Sequence, residues 1–175
     1  MRVRAHGLLL IVILIAGCDS GSAVQPVVTG STAVAGAVPC ADVIGTVPAP
    51  EPDLTVIEDA VALPAAARIP KPLQVSSSSG TAVGPALFAK NGLVVRRGAE
   101  VRLRVLEPAA GRAWIGWGSP GEPGPQAVVD GCDAADAWMA FAGGYWVRAP
   151  MCVPVGVRVG DGIEHRVDIA VGRRC

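Results

Sequence analysis

Histidine, lysine and long apolar runs are all scarce in this chain of 175 residues. The histidines are His6 and His165, and the lysines are Lys71 and Lys90. So few imidazoles leave little material for general acid–base chemistry or for histidine-based metal sites. The five cysteines form no C-x-x-C pair, which argues against zinc. Neither G-x-x-x-x-G-K-[ST] nor a strand-linked G-x-G-x-x-G occurs, so nucleotide binding has no support. A G-x-S-x-G elbow is also missing. Basic and acidic residues number 15 each. Without a cationic surplus the chain has neither the footprint of a nucleic-acid binder nor a polybasic lipid patch. The apolar run Leu8–Ile15 covers eight residues, whereas a membrane-crossing helix needs about 20.

Glycine and proline are abundant instead, with 22 and 15 residues. Together with the lack of helix-favouring charge patterning, they point to a turn-rich all-β chain. The start of the chain has a pattern of its own. Arg2 and Arg4 precede Leu8–Ile15, and Ala16-Gly17-Cys18 follows. A positive start, a short apolar core and small residues before a cut mark an export signal. Ile15-Ala16-Gly17-Cys18 resembles the lipobox of bacterial lipoproteins. The resemblance implies that the Cys18 thiol receives a diacylglycerol and that residues 1–17 are cut away. The protein would then sit on the extracytoplasmic face of the cell membrane, held by a lipid anchor. Two or three acyl chains give stable attachment, at about 0.8 kcal/mol per buried methylene. Residues 18–39 carry one charge and are mostly Ser, Gly, Ala, Thr, Val and Pro. They read as a flexible tether, too poor in buriable surface to order itself.

Residues 40–175 read as one domain. Prolines at positions 48, 50, 52, 64, 70 and 72 keep its first part extended, wrapped round the rest with a short strand such as Leu54–Ile57. Asp59–Arg68 reads as a helical turn or two, and Ser76–Gly80 as a loop. Beyond Gly84 strict alternation sets in. Val101, Leu103 and Val105 alternate with Arg102 and Arg104, and the pattern returns at Val153–Val159 and Val167–Val171. Shorter strands are expected at 87–90, 93–96, 113–117, 126–130, 138–142 and 145–148. Asn91-Gly92 and Asp161-Gly162 are hairpin dipeptides. The expected fold is an antiparallel β-sandwich, with an immunoglobulin-like arrangement as one form of it.

In an oxidising compartment Cys40, Cys132, Cys152 and Cys175 read as two disulfides. Three pairings are open. Cys132–Cys152 with Cys40–Cys175 is the favoured one, a local staple plus a tie between the domain's start and the last residue. His165 has the parity of Ile163 and Val167 and is expected half-buried and satisfied. Asp130, Asp133 and Asp136 gather around Cys132, where a solvated loop or a cap outweighs a metal site.

The aromatic residues cluster. Trp114 and Trp117 have opposite strand parity, as do Tyr145 and Trp146. One of each pair is expected inside, and the other is available to a sugar ring or a protein partner. Trp138–Cys152 has the pattern W-x-x-F-x-G-G-Y-x-V-x-x-P-x-C. It resembles a group of small secreted lipoproteins of actinobacteria that carries no assigned activity, so the resemblance supplies no functional residues. The reading as a whole is a non-catalytic binding or interaction module of the cell envelope. Its expected partner is an envelope polymer or protein, and no metal, cofactor or nucleic acid is expected. An envelope hydrolase using the aspartates with His165, and an inhibitor presenting Gly118–Pro125, are the alternatives.

Overall fold

Alternating sequence becomes strand wherever a neighbouring strand completes the ladder. The computed structural model describes residues 35–119 and 121–175. The expected export signal, Cys18 and the part of the expected tether 18–39 up to residue 34 lie outside them. A 3-10 turn, Cys40–Asp42, leads into β1 (Val43–Val47), followed by β2 (Thr55–Ile57), β3 (Val61–Leu63), β4 (Ser76–Ser78) and β5 (Ala86–Lys90). Next come β6 (Leu93–Arg96), β7 (Glu100–Val105), β8 (Ala113–Trp117) and β9 (Gln126–Asp130). The chain closes with β10 (Trp138–Phe141), β11 (Gly143–Val147), β12 (Met151–Val159) and β13 (Glu164–Val171). The fold is an all-β antiparallel sandwich. Its strands fall into three sheets, ordered β1-β10-β6-β3-β2, β4-β5-β11-β8 and β13-β12-β7-β9, where an immunoglobulin arrangement has two. No described helix is long and apolar enough to cross a membrane.

One core serves all three sheets. Val61, Leu63, Leu93, Val95, Met139 and Phe141 enter it from the first, and Ile115, Trp117, Tyr145 and Val147 from the second. Alternate residues of β7, β9, β12 and β13 supply the third side, including Val101, Leu103, Val129, Val155 and Ile169. Burial of β7 alternates from Glu100 to Val105 as its sequence does.

Several local expectations are corrected. Val61–Leu63 is a strand and not a helical turn. It pairs with both β2 and β6, and all three residues are buried, so no amphipathic period marks it. Ser76–Ser78 is an edge strand on β5 and not a loop. Asp161-Gly162 does turn between β12 and β13, but Asn91-Gly92 closes no hairpin. There β5 and β6 run on as one arm of a bent ribbon whose other arm is β10 and β11. Leu93 pairs with Phe141 on one side of the bend and Lys90 with Gly144 on the other. Residues 36–38, expected in the tether, belong to the fold. Val38 is buried and donates to the Val128 carbonyl at 2.8 Å, while Val128 donates to the Gly36 carbonyl at 2.8 Å. Residues 36–38 thus cover the free edge of β9.

The opposite edge of that sheet is covered too. Ala66 donates to the Asp168 carbonyl at 2.8 Å, Leu73 to that of Ala170 at 2.8 Å, and Gly172 to that of Leu73 at 2.9 Å. Residues 65–73 therefore form a strap pinned at both ends to β13. Exposed edges invite pairing with other chains, and here the protein's own extended segments occupy both.

Candidate functional site

The disulfides follow from strand register. They are Cys40–Cys132 and Cys152–Cys175, with Cα–Cα distances of 5.4 and 5.0 Å. The expected Cys132–Cys152 and Cys40–Cys175 pairs are absent for a geometric reason. Cys132 lies just past Asp130, which pairs with Glu100 at the start of β7. Cys152 lies three residues before Val155, which pairs with Val105 at the end of β7. The two cysteines sit at opposite ends of one strand, on the order of 20 Å apart, while a disulfide tolerates at most about 7 Å between Cα atoms. Cys175 instead folds back past Ala170, the partner of Cys152 on β13. Two such bonds suit an oxidising, extracytoplasmic setting.

Strand parity splits the aromatic pairs as expected, but a surface platform does not result. Trp117 and Tyr145 point into the core, 3% and 0% exposed, with their rings edge to face at 5.6 Å. The Trp117 indole donates to the Asn91 carbonyl at 2.8 Å. Trp114 and Trp146 share the outer face, paired across β8 and β11. Phe88 lies 4.5 Å from Trp146 between ring centres, and Trp146 is buried. Trp114 keeps part of its surface, but the Arg148 guanidinium lies 5.0 Å from its ring centre and is itself held by the Pro85 carbonyl at 2.9 Å. The ring face that a sugar would need is already occupied by a cation.

The hydrolase residues are not brought together. His165 contacts Glu58, with 2.5 Å between Nε2 and Oε1. Two strands, β12 and β7, separate it from β9 and Asp130. Asp136 accepts from the Thr46 hydroxyl at 2.6 Å, and Asp133 accepts from the Ala134 amide at 3.0 Å. Within the expected inhibitor loop, Gly118–Pro125, Gly124 folds back on β8, exchanging two backbone bonds of 2.9 Å with Ile115.

On the outer face of β7, β12 and β13, Arg104 and Glu164 form a bidentate pair with both contacts at 2.6 Å. The pair bridges across β12 at Gly156, where a Cβ would come within 2.8 Å of the Glu164 carboxylate. The hydrogen bond from Arg104 holds the Glu164 carboxyl below its ordinary range, against a smaller desolvation effect.

A groove of about 730 Å³ opens between the strap and β13. Pro70 and Pro72 lack amide protons and cannot extend the ladder, so the strap lifts away between its two pinned ends. Ala66, Ala67, Ile69, Pro70 and Ala170 line the apolar part. Lys71 comes from the strap, Arg166 and Asp168 from β13, and Arg174 from the tail held by Cys152–Cys175. Asp168 is engaged by Arg166 at 3.0 Å. Neither Lys71 nor Arg174 has a carboxylate within salt-bridge distance among the described residues. None of these residues stood out in the sequence. The signal was Pro70-Lys71-Pro72, a cation between two residues that forbid pairing. No family model matches the chain, and neither a curated protein nor a solved structure matches it.

Proposed function

We propose that this chain is a cell-envelope lipoprotein, fastened to the membrane through Cys18 and acting by binding. The observation that carries the binding half is the ligand-sized groove at the edge of a sheet whose frame is stapled by two disulfides. Small-molecule sites run from about 300 to 1,000 Å³ and are mostly apolar with a few placed polar groups. The anchoring half rests on the lipobox-like Ile15-Ala16-Gly17-Cys18 and agrees with disulfides made outside the cytosol. Mass spectrometry of the protein extracted from membranes is expected to find Cys18 as the first residue, carrying a diacylglycerol. Cys18→Ala is expected to move the protein out of the membrane fraction. A chain that keeps residues 1–17, or a free thiol at Cys18, overturns the anchor.

A further inference from the structure

The geometry points to a defined ligand class for the groove: a small organic anion with a carboxylate or phosphate head and an apolar body. The assignment rests on the domain acting by binding and adds what it binds. Two features converge. The strap lines the groove with Ala66, Ile69 and Pro70, which offer contact surface and no side-chain hydrogen-bonding groups. The charge at the rim is one-sided. Arg166 and Asp168 neutralise one another, leaving Lys71 and Arg174 as the uncompensated groups, and even a carboxylate at Cys175 would not outnumber them.

These two cations reach the same concavity from unrelated parts of the chain. One is placed by the prolines that lift the strap, the other by the disulfide that holds the tail against β13. Two cations without a carboxylate partner among the described residues line one concavity, which favours a negative group there. An anion seated between them gains charge-assisted hydrogen bonds, while its tail removes apolar surface from water. A cationic amphiphile of the same length gains only the second of these.

The test uses the full chain bearing Cys18→Ala, purified without detergent and titrated below micellar concentration with decanoate, decyl phosphate and decyltrimethylammonium. Backbone amide shifts locate the site, and the two anionic arms separate a carboxylate from a phosphate head. At least one anion is expected to saturate, with shifts centred on Ala66, Ile69, Lys71 and Ala170. Lys71→Gln with Arg174→Gln is expected to weaken it at least tenfold. Ala67→Trp, at an exposed position on the groove wall, is expected to block it without changing the melting temperature. The proposal is overturned if the cationic amphiphile binds as tightly as the anions, if the double variant binds them unchanged, or if the shifts lie elsewhere. If the anions do not bind but an envelope partner is captured equally by the parent and the Ala67→Trp protein, the groove assignment falls and the binding reading stands.

Discussion

Tyr145 is the one described residue with a buried side-chain polar atom that has no hydrogen-bond partner. Its ring fills the core well, but its hydroxyl is desolvated for no return, a cost of about 1–3 kcal/mol. Tyr145→Phe is therefore expected to match the parent or exceed it by about 1 kcal/mol in urea unfolding at neutral pH. Burial also raises the hydroxyl's pKa, so the unfolded chain loses that proton first. The associated stability is complete below the unfolded tyrosine value of about 10 and falls as pH rises beyond it. Tyr145 is the chain's single tyrosine, so the phenylalanine variant is expected to lose less stability between pH 9 and 11. An equal loss in both proteins would contradict this. The facing of this side chain was half legible in the sequence. Parity said that Tyr145 and Trp146 point to opposite sides, but nothing local said which side was core. Nor did anything say that Phe88 and Arg148 would cover the outer row.

The bend in the β5–β6 and β10–β11 ribbon depends on residues with no side chain. A Cβ on Gly144 would lie 2.1 Å from the Ala89 carbonyl oxygen, a contact that only a backbone shift relieves. Gly45 on β1 has nothing within 4 Å. Gly144→Ala is expected to cost about 3 kcal/mol by forcing the paired strands apart, and Gly45→Ala less than about 0.5 kcal/mol. Chemical denaturation of the two variants side by side checks the contrast. Asn91-Gly92 was misread because the dipeptide permits a turn without specifying a hairpin. Strands with one wet face, such as β7, could be read directly from their alternation. β3 could not, since its three residues are all buried and show no period. β4 could not either, because serines become a strand only through the edge that β5 offers them.

At the scale of the whole molecule, long-range register decides what sequence spacing leaves open. The number of disulfides followed from four cysteines and an export signal, but their partners follow from which ends of β7 they flank. Peptide mapping without reduction is expected to recover Cys40–Cys132 and Cys152–Cys175. Replacing Cys40 and Cys132 by serine should cost about 4.6 kcal/mol and replacing Cys152 and Cys175 about 3.4 kcal/mol, by loop-closure entropy over separations of 92 and 23 residues. A larger loss from the shorter loop would count against that ordering. The groove belongs to this scale as well. Its walls come from residues about a hundred positions apart, so no local pattern could have assembled them. The same covalent map governs how the domain responds to load. Tension applied between Ala35 and Cys175 travels from Cys40 to Cys132 and from Cys152 to Cys175 through sulfur. Only residues 35–39 and 133–151 can then pay out, on the order of 80 Å of chain, where a bridge-free domain would release on the order of 450 Å. A pull on the domain would thus meet a short leash with two hard stops.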